Sequence, residues 1–384
     1  MSGIKYFSQN YNVENKSVII RLDLNVPVKE KIILDHTKIL QTVPFLENLV
    51  KKKAKVVVIS HMGRPAGIKN NELSLTPVYK FLKEKINTNI YFFTGSIDNE
   101  TKKKISHLKS GEIILFENIR FSKGENENEE GLAKTLASLG EIYINDAFSC
   151  SHRRQASIHK ITQFVKESYA GPQLKKEVQS IDFIIKDKKK PVTCVIGGSK
   201  VSTKINIILN LIKNVNNIII VGAMANNFLI YKGYKIGKSL VEMNSKHIIN
   251  DIYSEAEKKN CKIIIPIDCV VSKSFQSPGQ SKEANDIEKD EIILDIGPKT
   301  IKIIESVIDQ SNTVLWNGPA GYFENQDFAA GTNLIAKKIS ENTVNKSLIS
   351  ILGGGDTISA INKIEKKLSF THLSTAGGAF LEYL

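Results

Sequence analysis

Nine short runs rich in Val, Ile and Leu recur along the chain: SVIIRLDLN, AKVVVIS, EIILFEN, EIYINDAF, PVTCVIGG, NIIIVGAM, KIIIPIDC, TVLWNG and SLISILGGGD. Each is followed by Gly, Asn or Asp and then by a stretch of helical periodicity. Strands spaced in this way, with helices between them, form βαβ units and mostly parallel sheets. In such folds ligands sit at the carboxyl ends of the strands, and the polar clusters of this sequence fall there. The expected fold is α/β, with two Rossmann-like lobes whose mostly parallel sheets are covered by helices. A charged helical stretch, VKESYAGPQLKKEVQSIDFIIKDKKK, separates the lobes. It predicts domains at 1–165 and 191–365, with a linking hinge helix at 166–190.

A length of 384 residues excludes a lone small binding module, and 41% apolar with 24% charged residues is an ordinary globular balance. No apolar run of about 18 residues and no signal-like N-terminus is present, so the expectation is a soluble, cytoplasmic protein that does not enter a membrane. Cys150, Cys194, Cys261 and Cys269 form no CxxC pair and are read as reduced structural thiols. The net charge of +13 favours acidic partners, which include nucleic acid and phosphorylated metabolites. No nucleic-acid motif or aromatic platform accompanies it, so no specific nucleic-acid partner is expected.

Only five of the 53 basic residues are arginines, and all lie in the first 154 positions: Arg21, Arg64, Arg120, Arg153 and Arg154. A guanidinium grips carboxylates and phosphates with a planar fork that an ammonium lacks, so these positions are informative. They cluster in four strand-end segments. Alternation in Arg21-Leu-Asp23-Leu-Asn25 places Arg21, Asp23 and Asn25 on one face of an extended segment. His61-Met-Gly63-Arg64 follows VVVIS; Glu117-Asn118-Ile-Arg120 and Asn145-Asp146 through His152-Arg153-Arg154 follow two further strands. Together they read as a site for a small anion. Cys150 and His152 carry no nucleophile signature.

Glycine replaces arginine in the second half. Gly197-Gly198-Ser199-Lys200 follows PVTCVI and is expected to open a helix whose N–H groups face phosphates. Lys200 and Lys204, four apart, are expected on one face of that helix. Gly353-Gly354-Gly355-Asp356-Thr357 follows SLISIL, and its carboxylate at a helix start suits Mg²⁺. Gly233-Tyr-Lys-Ile-Gly237-Lys238-Ser239 resembles a P-loop but is one residue short between its glycines and lacks a preceding strand.

Along nearly its whole length the sequence resembles the phosphoglycerate kinase family, through RLDLNVP, SHMGRP, SLTPV, GEIILFENIRF, LAKTLASLGEIYINDAFSCSHR, GGSKVSTKI, LDIGP, TVLWNGPAGYFE, FAAGT, GGGDT and FTHLSTAGGA. The resemblance implies reversible phosphoryl transfer from 1,3-bisphosphoglycerate to MgADP, giving 3-phosphoglycerate and MgATP in glycolysis and gluconeogenesis. It implies a triose-phosphate site in the first lobe at Asp23, Asn25, Lys38, His61, Gly63, Arg64, Arg120 and Arg153. It implies a nucleotide site in the second at Gly197, Gly198, Lys204, Gly222, Asn317, Glu324, Gly353, Gly354, Gly355, Asp356 and Thr357. Glu324 would hold the ribose hydroxyls, Asp356 the Mg²⁺, and Lys200 would follow the transferring phosphoryl group, with Lys38 as the second catalytic cation. Hinge bending of the two lobes, at the linking helix and at Ser374-Thr375, and a monomeric state are further implications.

The sequence departs from the family pattern at Lys38, where the family has an arginine, so the charge is kept and the fork lost. Gln155 stands where a second histidine is common, and Arg154 where a small residue is. The segment 366–384, expected to return toward the first lobe, stops at Leu384, earlier than the family tail. These departures leave one alternative, a member that binds both substrates but turns over slowly because of Lys38.

Overall fold

The computed structural model describes residues 3–187, 189–202, 204–374 and 377–383, so the hinge expectation at Thr375 lies outside the described residues. The chain divides into two compact units, Met1–Gln179 and Ser180–Leu384.

The first unit contains strands β1 (Ser17–Leu22), β2 (Val28–Lys29), β3 (Ile32–Ile33), β4 (Lys55–Ile59), β5 (Ile90–Phe93), β6 (Ile113–Phe116), β7 (Ile142–Asp146) and β8 (Glu167–Ala170). Apart from the small β2–β3 hairpin, these form one sheet in the order β5-β6-β4-β1-β7-β8, parallel throughout. Helices α1 (Thr37–Lys51), α2 (Thr76–Lys85), α3 (Asn99–Ser106) and α4 (Glu130–Ala137) make the crossovers. Successive strand side chains point to opposite faces. Ile20, Val56 and Val58 therefore join one buried cluster, and Ile19, Val57 and Ile59 the other. With both faces covered, the strands read as continuous apolar runs.

The linking helix is shorter than expected. Glu167–Ala170 is strand β8, parallel to β7, and α5 spans Pro172–Asp187. The local cause is Gly171-Pro172: a proline restricts the residue before it to non-helical backbone, yet its fixed φ suits the first helical turn. Asp146 completes the helix start by accepting the Leu174 N–H at 2.9 Å. The division between the units falls inside α5.

In the second unit, β9 (Val192–Ile196), β10 (Asn217–Ile220), β11 (Lys262–Ile264), β15 (Thr313–Asn317), β16 (Ile349–Gly353) and β17 (His372–Ser374) form a parallel sheet in the order β11-β10-β9-β15-β16-β17. Its helices are α6 (Ile205–Ile212), α7 (Ala225–Tyr231), α8 (Lys246–Lys258), α9 (Pro298–Asp309), α10 (Ala330–Asn345), α11 (Gly355–Asn362) and α12 (Gly377–Tyr383). The run KIIIPIDC, read as one strand, is two: Pro266 has no N–H to give a ladder, and the chain turns there into β12 (Asp268–Ser272). With β13 (Gln280–Glu283) and β14 (Ile292–Ile296), β12 builds a separate antiparallel sheet. The described end of the chain lies in the second unit, where β17 pairs with β16 and the Tyr383 hydroxyl donates to Asp182 at 2.8 Å.

Val195, Val314, Trp316 and Leu352 pack with Ile304 and Ile308 of α9 into the second core, and Trp316 Nε1 donates to Gly318 O at 2.7 Å. Trp316 is the single tryptophan of the chain, so its emission reports this unit. Ile304 is fully buried. Ile304→Ala is expected to lower stability by about 2–5 kcal/mol through lost transfer energy and a residual cavity. A urea titration followed by tryptophan emission checks this; an unshifted midpoint would mean that α9 does not close this core.

Candidate functional site

Each six-stranded sheet reverses its winding once, and at such a point the flanking loops diverge and leave a crevice at the carboxyl ends of the strands. In the first unit the reversal lies between β1 and β7. Asp23 and Asn25 follow β1, His61 and Gly63 follow β4, Arg120 follows β6, and Ser149 follows β7. Lys38 lies in the first turn of α1 and places its ammonium 2.7 Å from Asp23 Oδ2. Ser149 Oγ donates to the same oxygen at 2.6 Å.

Burial alone would raise the Asp23 carboxyl, but the Lys38 ammonium overrides it and holds the group at about 2, ionised across the physiological range. Asn25 Oδ1 accepts the Gly63 N–H at 2.9 Å, which leaves its amide nitrogen as the group that donates to a ligand. Gly63 has φ +58° and its carbonyl accepts Arg120 Nη1 at 2.6 Å, so one glycine turn orients both side chains. Arg120 is buried, and that burial, with the nearby Arg21 and Arg153 charges, lowers it to about 10. It still carries its charge at neutral pH. Arg153 is half-buried, whereas Arg64 and Arg154 are exposed.

Arg21 is not open to a ligand, although it alternates with Asp23 and Asn25. The strand ends at Leu22, and Arg21 is fully buried, donating to Ser157 Oγ at 3.0 Å and Leu22 O at 2.6 Å. Ser157 in turn donates to both oxygens of buried Glu125, at 2.7 and 2.9 Å, which supplies the countercharge. Arg21 Nη2 also lies 3.2 Å from His61 Nδ1. A guanidinium only donates, so Nδ1 is the bare nitrogen and the His61 proton sits on Nε2. Burial and the Arg21 charge keep His61 well below its usual range and hence neutral. Sequence reasoning saw Arg21 as a ligand group; it supports one instead, together with Ser157 and Glu125, which it missed because they are brought in from 104 and more positions away, beyond any local pattern.

The second reversal lies between β9 and β15. The strand ends there approach so closely that a Cβ on Gly197 would stand 2.3 Å from Pro319 O, which explains the glycine. Gly197 N donates to Asn317 O at 2.8 Å, and Asn317 Nδ2 donates to Gly353 O at 2.7 Å. Gly318 N donates to Thr357 Oγ1 at 2.7 Å, and Gly222 N donates to Ala320 O at 3.1 Å. Gly197, Gly222, Asn317, Gly353 and Thr357 are thus joined through the ends of neighbouring strands. Beside them a cavity of about 500 Å³, lined by Gly198, Gly222, Leu240, Asp295, Glu324 and Asp356, is large enough for a mononucleotide. Asp295 carries no obvious sequence signal; its buried carboxyl, raised to about 7 by desolvation, accepts the Gly331 N–H at 2.8 Å.

The glycine turn at Gly197 does not lead straight into a helix. Gly198 has φ +139°, and α6 begins only at Ile205, so Lys200 and Lys204 do not share a helical face. Lys204 instead turns back, donating to Gly197 O and to Asn317 Oδ1, the latter at 3.1 Å. Lys200 is exposed. The second turn is as expected: β16 ends at Gly353, Gly354 has φ +110°, and Asp356 and Thr357 open α11. Gly355 and Asp356 are exposed, and Asp356 faces the cavity.

The phosphoglycerate kinase family model matches residues 8–384. The phosphoglycerate kinase of Wolbachia sp. subsp. Drosophila simulans (strain wRi) is 43% identical over 378 residues, covering 98% of this chain and 94% of that one. That of Chelativorans sp. (strain BNC1) is 38% identical over 387 residues, covering 100% and 97%. Among solved structures, phosphoglycerate kinase from Coxiella burnetii superposes with a TM-score of 0.79 at 38% identity, covering 97% of this chain and 94% of that one. The enzyme from Pyrococcus horikoshii OT3 gives 0.81 at 26% identity, covering 98% and 95%.

Burial lowers the Lys204 ammonium to about 8. A depressed lysine is charged below that pH and neutral above it, so a phosphate-bearing ligand loses a cation as pH rises through 8. ATP affinity is expected to fall above about pH 8, and Lys204→Arg, charged throughout, is expected to remove that inflection. Calorimetric titration with ATP from pH 6.5 to 9.5 measures both; a parallel pH dependence in the two proteins would exclude Lys204 as its source.

Proposed function

Because the chain belongs to the phosphoglycerate kinase family, whose members move a phosphoryl group to and from a carboxyl acceptor, we propose that its two strand-end sites divide the substrates between them. The activity is that of the family: reversible transfer between 1,3-bisphosphoglycerate and MgADP. The slow-turnover alternative has no support in the comparisons. The observation that carries the division is the contrast between the sites. One brings Lys38, His61, Arg120 and Arg153 together beyond the strand ends of the first sheet; the other lines a nucleotide-sized cavity with glycine turns, Glu324 and Asp356.

In the first unit, Asp23, Asn25, His61, Gly63, Arg64, Arg120 and Arg153 would hold 3-phosphoglycerate. Three arginines and a neutral His61 offering its Nε2–H suit an anion, while ionised Asp23 and the Asn25 amide suit a hydroxyl and a carboxylate edge. In the second unit, Gly197, Gly198, Lys204, Gly222, Asn317 and the turn Gly353–Thr357 would hold the nucleotide, with Glu324 on the ribose.

Among the described residues no group of three or more His, Cys, Asp or Glu side chains gathers to hold a metal. A single exposed carboxylate at Asp356 fits Mg²⁺ nonetheless, since that ion is held by one or two carboxylates and the substrate phosphates. Bound there, it would neutralise charge on the phosphate oxygens. The residues of the chain do the remaining work, which for phosphoryl transfer is positioning and charge neutralisation with little covalent chemistry. Lys38 and Lys200 would follow the charge on the moving group, each from its own unit. Transfer between ligands held by separate units requires the units to bring them in line, as hinge closure would.

A coupled assay with MgATP and 3-phosphoglycerate is expected to give turnover in the range of about 1–100 s⁻¹ typical of kinases. Lys38→Ala is expected to lower it about tenfold to a hundredfold, the scale of one lost hydrogen bond to a charged group. Turnover of Lys38→Ala equal to the unsubstituted protein would refute the role given to Lys38.

A further inference from the structure

Asp23 Oδ2 receives two donors at once, the Lys38 ammonium at 2.7 Å and the Ser149 hydroxyl at 2.6 Å. Its other oxygen accepts the Asn25 N–H at 3.2 Å. The carboxylate therefore joins groups from three separate places: the loop after β1, the first turn of α1, and the turn after β7.

The turn that carries Ser149 is closed by its own hydrogen bonds. Asn145 Oδ1 accepts the Ala147 N–H at 3.0 Å, and Asn145 Nδ2 donates to Ser151 Oγ at 3.0 Å. Ser151 Oγ donates to Ala147 O at 2.9 Å, and the Cys150 N–H reaches the same carbonyl at 3.2 Å. The turn leaves directly from β7, an interior strand paired on both sides. The Ser149 hydroxyl is therefore borne by a rigid element, as a group that fixes another group must be.

Such a fixing group matters because residue 38 is a lysine. An ammonium on a four-carbon stem is a point charge, located by whatever it pairs with. A guanidinium at this position could grip both carboxylate oxygens with its own fork and so define the carboxylate plane. Lys38 bonds one oxygen and defines no plane, and its stem is partly exposed, with 26% of the side-chain surface accessible. The second donor on Oδ2 comes from Ser149. The hydroxyl gives its single proton to Asp23, and Lys38 gives one of its three N–H groups there, which leaves two for a ligand.

We propose that Ser149 is a positioning residue for phosphoryl transfer: its hydroxyl pins the Asp23 carboxylate, and through it the Lys38 ammonium, in the orientation that lets a lysine act where a fork would otherwise be needed. The proposal rests on the role given to Lys38 under the proposed function. Ser149 acts through Asp23 and Lys38 and not by contact with the reacting atoms.

The test compares the unsubstituted protein with Ser149→Ala, Ser149→Thr, Lys38→Ala, Lys38→Arg and the double variant Lys38→Arg with Ser149→Ala. For each, kcat, KM for 3-phosphoglycerate, KM for MgATP and the thermal midpoint are measured. Ser149→Ala is expected to lower kcat about tenfold, the scale of one hydrogen bond to a charged group, and to leave KM for MgATP and the midpoint in place. Ser149→Thr keeps a hydroxyl and is expected to recover most of that loss. With arginine at position 38 the serine substitution is expected to cost at most about twofold, because coupled groups are not additive. An equal loss in both backgrounds would show that Ser149 does not act through Lys38 and would overturn the proposal, as would wild-type kinetics for Ser149→Ala or a fall in kcat that tracks the thermal midpoint. Failure of the underlying reading shows separately, as undiminished turnover in Lys38→Ala.

Discussion

The constraint on which this molecule depends is the parallel direction of its two six-stranded sheets. Parallel strands must be joined by crossovers, so all their carboxyl ends emerge along one edge and the loops there are free of the packing that governs both faces. Where the winding reverses, between β1 and β7 and again between β9 and β15, neighbouring loops part. The groups proposed to touch substrate lie on or beside those edges. Most of those groups sit in the loops and first helical turns just beyond the strands, and Asn317 and Gly353 are the last residues of β15 and β16.

A crevice of cations needs support from behind, since a buried charge is costly unless it is paired and hydrogen-bonded. Arg21 meets that requirement with Ser157, the Leu22 carbonyl and, through Ser157, the Glu125 carboxylate. Its position settles two properties of the crevice. It fixes the His61 proton on Nε2 and keeps the ring neutral, and its charge helps to lower Arg120. The arginine richest in contacts is thus the one least available to a ligand, whereas exposed Arg64 is free of that duty.

The two proposed sites are built in different ways. The first relies on side chains, each tied to another: Lys38 to Asp23, Asn25 to Gly63, Gly63 to Arg120. The second relies on backbone. Gly197 and Gly318 let two strand ends meet where any Cβ would collide, and Gly222 and Gly354 adopt positive φ angles that other residues resist. Lys204, half-buried beside them, is depressed toward neutrality by desolvation.

Much of this was legible in the sequence. The nine apolar runs became strands, because a strand buried on both faces leaves a continuous apolar run that needs no partner to be read. The positions of Asp23, His61, Arg120, Gly353 and Asp356 at strand ends followed from the same pattern, since a motif adjoining a strand inherits its place. What was not legible turned on a single residue of local geometry or on distant partners. β8 was hidden inside an expected helix because Gly171-Pro172 sets the helix start, and KIIIPIDC split because Pro266 cannot give a ladder hydrogen bond. Lys200 and Lys204 parted because the turn after Gly198 delays α6 to Ile205. The burial of Arg21 by Ser157 and Glu125, and the meeting of Ser149 and Lys38 on one oxygen of Asp23, were decided by the tertiary structure alone. A sequence states which groups a segment carries and with what period, but a hydrogen bond between residues more than a hundred positions apart exists only once the sheet has set their strands side by side.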